Sequence, residues 1–363
     1  MAGEFRRVLV VAGPATGGLR THVTALARHL ASRGWPVTVA APGATLRPLR
    51  DRADPAIQLQ EVPIGATSAS RAASAHRALR HLAASHDVVH AHGLRAAAAA
   101  VLACRAVPVV ATWHNAPLRA VDAVTGHAVL ERLVARRCAL VLTVSPDLAA
   151  RARRAGARRV QLVEVPAPPL PPAPAGVDPS EVRARLGVPG NRPLVLAVAR
   201  LDRQKALDTL IRAAAGWQRP GDPVVVVAGD GPLRARLESL AQQLRAPVTL
   251  LGERDDVPQL LAAADVFALP SHWEGWPLAL AEALHAGLPA VVSDLPGPRR
   301  LAAEAAAYVP AGQPDALRRA IDSVLADIGL RSRLSAAAIR RAAEWLSLEE
   351  ANDAILARYL EVS

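Results

Sequence analysis

Lysine is almost missing from this chain: of 43 basic residues in 363, Lys205 alone is not arginine. Such a bias reflects coding composition, and it singles out Lys205 as a position where a compact, mobile ammonium is wanted rather than a planar guanidinium. Cysteine is equally sparse. Cys104 and Cys138 are far apart with no ligand set beside them, which excludes a disulfide framework and a metal knuckle and leaves two core thiols. Aromatic residues make up 3% of the chain and do not interleave with the arginine clusters, so the stacking platforms of single-strand nucleic-acid binders are lacking. Long apolar runs are missing too. The longest, Ala96 to Cys104, is closed by Arg95 and Arg105 and is too short to span a bilayer, and the N-terminus shows no signal-peptide pattern. The expected location is cytoplasmic, with peripheral contact at the inner face of a membrane.

Half of the residues are apolar, enough for two ordinary cores. The charge is unevenly placed: residues 1–175 hold 22 Arg against 9 Asp and Glu, whereas the remainder is close to balance. A one-sided basic surface suits an anionic membrane or an anionic acceptor rather than nucleic acid, and the acceptor is expected to be lipid-linked or anionic. Short Val- and Leu-rich runs alternate with helical segments. Expected strands are Val8–Ala12, Val37–Ala40, Ile57–Val62, Val88–Ala91, Val109–Trp113, Leu140–Val144 and Val160–Val165, then Leu194–Ala199, Val224–Ala228, Val248–Leu251, Val266–Leu269 and Ala290–Ser293. This alternation predicts parallel sheets covered on both faces. Between the two sets lies a proline-rich stretch that excludes helix and central strand. The expected organisation is a first α/β domain at 1–165, a linker at 166–178, a second α/β domain at 179–345, and a C-terminal helix at 346–363 crossing back to the first domain. Ligands of such folds bind at the carboxyl ends of the strands, here expected in a cleft between two doubly wound sheets.

The densest cluster of informative residues runs from Pro270 to Pro289. Pro277 fits the first helical position and Gly287 the end, predicting a helix over Pro277–Ala286. Free N–H groups around Leu278, Ala279 and Leu280 would form an anion site at its positive end. Glu274 precedes this helix and Glu282 lies on its second turn, so that one carboxylate reaches a sugar hydroxyl and the other a ribose diol. Taken singly, each would read as an ordinary solvated carboxylate. At the end of the strand Leu194–Ala199, Arg200 and Lys205 offer a fork and a point charge to a leaving diphosphate. No Asp-x-Asp occurs, so no metal is expected at the diphosphate.

These residues, with Gly229-Asp230-Gly231-Pro232 and Ala286-Gly287-Leu288-Pro289, resemble the retaining GT-B glycosyltransferases of family 4. The likeness extends to Thr16-Gly17-Gly18, to His92-Gly93 and to Thr112-Trp113-His114-Asn115 in the first half. The resemblance implies a GT-B fold of two Rossmann-like domains and metal-independent sugar transfer from a UDP- or GDP-sugar to an acceptor hydroxyl, with retention. It also implies site roles. His114, Glu274, Arg200 and Lys205 would be catalytic, and donor contacts would add Gly17, Gly18, Gly229, Gly252, Arg254, Gly275, Trp276, Pro277, Leu278, Ala279 and Glu282. His22 and His92 would lie near the acceptor. Three departures stand out: Pro166-Ala167 where relatives have Asn-Gly, Ala206 where a glycine commonly follows the lysine, and Leu295–Arg300 without the usual glutamate. A sugar-nucleotide epimerase and a non-catalytic sugar-nucleotide binder share much of this pattern. A dehydrogenase does not, because no Gly-x-Gly-x-x-Gly follows the first strand.

Overall fold

A computed structural model describes residues 6–15, 17–66, 68–114, 126–165, 178–188 and 192–362. Nearly all of the proline-rich stretch lies outside the described residues. The chain divides into two compact units, one from the described residues of Met1–Pro168 and Leu346–Ser363, the other from those of Pro169–Trp345.

The first unit is built from β1 (Val8–Ala12), α1 (Gly17–Ser32), β2 (Val37–Ala41), α2 (Gly43–Arg50), β3 (Ile57–Glu61), α3 (Ala69–Ala83), β4 (Val88–His92), α4 (Leu94–Ala103), β5 (Val109–Trp113), α5 (Ala128–Arg137), β6 (Leu140–Thr143), α6 (Pro146–Arg154) and β7 (Val160–Leu162). The described strands pair in parallel in the order β3-β2-β1-β4-β5-β6-β7. Every residue of β1, β2, β4 and β5 is buried, as a parallel sheet covered on both faces requires, and the predominance of Val, Leu and Ala follows from that burial. β7 stops at Leu162, short of the expected Val165.

The second unit follows the same plan with α7 (Pro179–Arg185), β8 (Leu194–Val198), α8 (Leu207–Ala214), β9 (Val224–Ala228), α9 (Arg234–Gln243), β10 (Val248–Gly252), α10 (Val257–Ala263), β11 (Val266–Leu269), α11 (Leu278–His285), β12 (Ala290–Ser293), α12 (Pro296–Ala302), β13 (Ala306–Val309), α13 (Pro314–Ala326) and α14 (Ile328–Ala343). Its parallel strand order is β10-β9-β8-β11-β12-β13. In both sheets the order reverses beside the unit's first strand, between β1 and β4 and between β8 and β11. At such a point the loops leaving the strands part and open a crevice.

The final helix, α15 (Leu348–Glu361), belongs to the first unit. Its start is fixed by a capping box, Ser347 accepting from the Glu350 N–H while the Glu350 carboxylate accepts from that of Ser347. Its buried Ile355 and Tyr359 join the core with Leu26, Leu30 and Trp35. On its flank Asp353 accepts from His29 of α1 at 2.7 Å and from Arg33, just past the end of that helix. Among the described residues, no helix is long and apolar enough to cross a membrane.

Candidate functional site

In the second unit the sequence-predicted residues gather at the carboxyl edge of the sheet, on the loops leaving β8, β9, β10 and β11. The β8 loop turns tightly. Asp202 caps a single 3-10 turn, Arg203–Lys205, by accepting from the Gln204 and Lys205 N–H groups at 3.0 and 3.2 Å. Ala206 then adopts a left-handed conformation at φ +47, the backbone state that a glycine would take without strain. The β9 loop lies directly on this one, because a Cβ at Gly229 would overlap the Ala199 carbonyl. The Leu201 N–H also donates to Asp230 O at 3.0 Å. Gly229 in turn donates to Gly252 O at 2.7 Å, which ties the ends of β9 and β10 together.

The loop between β11 and α11 brings Glu274 against the β8 loop. Lys205 Nζ and Ser271 Oγ both donate to Glu274 Oε1 at 2.6 Å, and Glu274 is 4% exposed. Gln204 reinforces the junction by donating to Trp273 O at 3.0 Å, while its own carbonyl accepts from the His272 N–H at 2.9 Å. On the other side Gly297 of α12 presses on the Glu274 and Gly275 carbonyls, where a side chain would collide. A buried carboxylate is tolerated here because a cation and a hydroxyl satisfy it, and removing either leaves a costly charge.

The helix expected over Pro277–Ala286 is α11, with Pro277 as N-cap and Ala286 as C-cap. Two details differ from the sequence expectation. The helix proper is Leu278–His285, so Pro277 precedes its first residue instead of being it. The Leu280 N–H is already used, donating to Pro277 O at 3.0 Å, so the open donors at this end are those of Leu278 and Ala279. Glu282, one turn on, is partly buried without a cation beside it, and burial pushes its carboxyl up to about 7. The Trp276 ring packs edge-on against Trp345, with the Arg300 guanidinium 5.1 Å from its centroid. The two arginines are not bare phosphate ligands either. Arg200 is paired with Asp202 and Arg254 with Asp256, each within its own exposed loop.

In the first unit the remaining predicted residues cluster around the ends of β1, β4 and β5. After β1 the Thr45 hydroxyl donates to Gly13 O and accepts from the Ala15 N–H, both at 3.0 Å, shaping the loop that enters α1. Gly17, at φ +56, and Gly18 open that helix. His22 on α1, His92 at the end of β4 and His114 just past β5 form a compact group of rings. Their neighbour His90 is satisfied on both nitrogens, by the Tyr359 hydroxyl at 2.6 Å and the Thr112 hydroxyl at 2.7 Å. Burial lowers His22 to about 4 and holds His92 and His114 well below the ordinary histidine range, so these rings are neutral near pH 7. Sequence reasoning missed Ser271, Asp202, Gln204 and His90. Asp202 and Gln204 carried a local signal, lying between Arg200 and Lys205; Ser271 and His90 depend on which way a side chain points.

Two family models cover most of the chain: "Glycosyl transferases group 1" matches residues 178–341 and "Glycosyltransferase Family 4" matches residues 16–167. A D-inositol 3-phosphate glycosyltransferase of Xylanimonas cellulosilytica is 30% identical over 395 residues, covering 96% of this chain and 92% of that protein. An alpha-D-kanosaminyltransferase of Streptomyces kanamyceticus is 32% identical over 190 residues, a match spanning 50% of this chain and about half, 49%, of that protein. Among solved structures, Anabaena HepE in complex with UDP-glucose superposes with a TM-score of 0.83 at 21% identity, over 98% of this chain and all of that one. The architecture is the GT-B fold.

Proposed function

Because the chain belongs to glycosyltransferase family 4 and is itself a glycosyltransferase, we propose that it moves a sugar from a UDP- or GDP-sugar to a hydroxyl of an anionic acceptor, with retention of configuration and without a divalent ion at the diphosphate. The observation that carries this reading is the Lys205–Glu274 pair, set by Ser271 at the switch point of the second sheet and next to the open N–H groups of α11.

Lys205 is assigned to the departing diphosphate. Its ammonium changes partner from one Glu274 oxygen to a phosphate oxygen as charge develops, and the Leu278 and Ala279 N–H groups stabilise the same anion. Arg200 and Arg254 add guanidinium donors once nucleotide draws them from their aspartates. Glu274, released from the ammonium and still held by Ser271, accepts from hydroxyls of the transferred sugar, and Glu282 accepts from the ribose diol. His114 is assigned to another hydroxyl of that sugar, with His22 and His92 toward the acceptor. Retention follows when the acceptor attacks on the face the diphosphate leaves, the diphosphate taking the acceptor proton. An anionic acceptor is supported by the 22 Arg against 9 acidic residues in 1–175 and by the phosphorylated acceptor in the name of the Xylanimonas relative. Placement inside the cell, with its basic half at an anionic membrane, belongs to the same proposal.

Replacing Lys205 by alanine tests the central assignment. Losing a charge-assisted contact worth about 3 kcal/mol in the transition state lowers kcat/KM by about two orders of magnitude. An unchanged kcat/KM for the best donor found in a UDP- and GDP-sugar panel would sink it. The anomeric configuration of the product, read by NMR, checks retention, and undiminished turnover in EDTA checks the metal statement.

A further inference from the structure

At the carboxyl edge of the first sheet, His22, His92 and His114 each bring a ring nitrogen to one spot, all within 4.8 Å of one another. Nδ1 of His92 and Nε2 of His114 are 3.2 Å apart, and the His22 ring centroid lies 5.2 Å from that of His92 and 5.4 Å from that of His114. That His92–His114 contact is a hydrogen bond, and it leaves the third ring unsatisfied. Both nitrogens of His22 and Nε2 of His92 are buried without a partner, in residues 3% and 1% exposed. Each such orphan costs about 1–3 kcal/mol, and an ion held by one nitrogen of each ring would relieve one of the two on His22. His90, two residues along the same strand, shows the alternative, with a hydroxyl on each nitrogen.

The donors are three imidazoles with no carboxylate among them, a set that suits zinc and not magnesium or calcium. Two nitrogens at the spacing of the His92–His114 pair subtend about 100° at an ion 2.0–2.1 Å from each, close to tetrahedral. We propose that His22, His92 and His114 form a zinc site with three protein ligands and a fourth position open to water. His114 is the least buried of the three ligands. His22 has no outer partner to fix its ring, and such partners are worth about 10–100-fold in affinity, so the site binds zinc reversibly rather than as a structural ion. It does not depend on the diphosphate chemistry of the second unit, but it uses the same three rings as the sugar and acceptor contacts proposed above, so zinc and those hydroxyls compete for them.

The test uses untagged full-length protein stripped of metal, titrated with Co2+ and then Zn2+. One Co2+ per chain with the visible absorption of a four- or five-coordinate nitrogen site, displaced by one Zn2+, is the expected result. His22→Leu, which replaces an unpaired buried ring by an apolar one, should lower the zinc affinity at least about 10-fold while the apo protein keeps its melting temperature. His114→Ala should do the same and serves if the His22 variant does not fold. Failure to take up one equivalent, or uptake that neither substitution weakens, overturns the proposal.

Discussion

One carboxylate oxygen of Glu274 accepts from both the Ser271 hydroxyl and the Lys205 ammonium, at 2.6 Å each. In the proposed mechanism the ammonium turns to phosphate, and the hydroxyl is then what keeps the carboxylate in place. Ser271→Ala should therefore lower kcat by about 10-fold, the loss of one hydrogen bond to a charged group, while the affinity for nucleoside diphosphate alone changes little. Parallel turnover and nucleotide-binding measurements separate the two, and an unchanged kcat would show that Glu274 needs no such support. Lys205 and Glu274 were singled out in the sequence by residue type and by position at the strand end and before the helix, and the structure brings the two side chains together. Ser271 was not, since a serine beside a proline reads as turn material until its hydroxyl is seen to point inward. Ala206 shows the reverse: its departure from the common glycine was visible in the sequence, whereas its left-handed backbone appears only in the structure.

Among the elements, α11 was the most legible, because Pro277 and Gly287 bracket it and the start–stop chemistry is local. β13 escaped notice: Ala306-Ala307-Tyr308-Val309 sits in an alanine-rich stretch, and only pairing with β12 makes it a strand. α12 forms from Pro-Gly-Pro, which reads as a loop, because its prolines fall in the first turn, where no N–H is needed. The buried flank of α11 also makes stability depend on pH. Glu282, raised to about 7 from an unfolded value near 4.5, stays protonated in the folded chain over a range where the unfolded chain has lost that proton. Its contribution is fully present below about pH 4.5 and disappears as the pH rises to about 7. Glu282→Gln should remove this fall, seen as a flatter urea midpoint against pH between about 4.5 and 7. A difference between variant and parent that does not vary with pH would contradict the assignment.

For the molecule as a whole, α/β alternation was readable from the sequence, but strand order was not, because both sheets insert their later strands beside the first. Nor did the sequence show that Tyr359 would close the core around His90, some 270 residues earlier in the chain. Tyr359→Phe keeps the packing and strips His90 Nδ1 of its partner, so the first unit should lose about 1–3 kcal/mol. Urea unfolding followed by hydrogen exchange at β1 and β4 measures this, and an unaltered midpoint would mean the bond contributes nothing. The placement of α15 also bears on biosynthesis. The ribosome releases every strand of the first sheet long before it releases the residue that finishes that sheet's interior, whereas the second sheet has all its strands and flanking helices by Trp345. During synthesis the earlier half must therefore wait, incompletely sealed, for a segment made after its neighbour, and that interval is when the nascent chain is most exposed to aggregation.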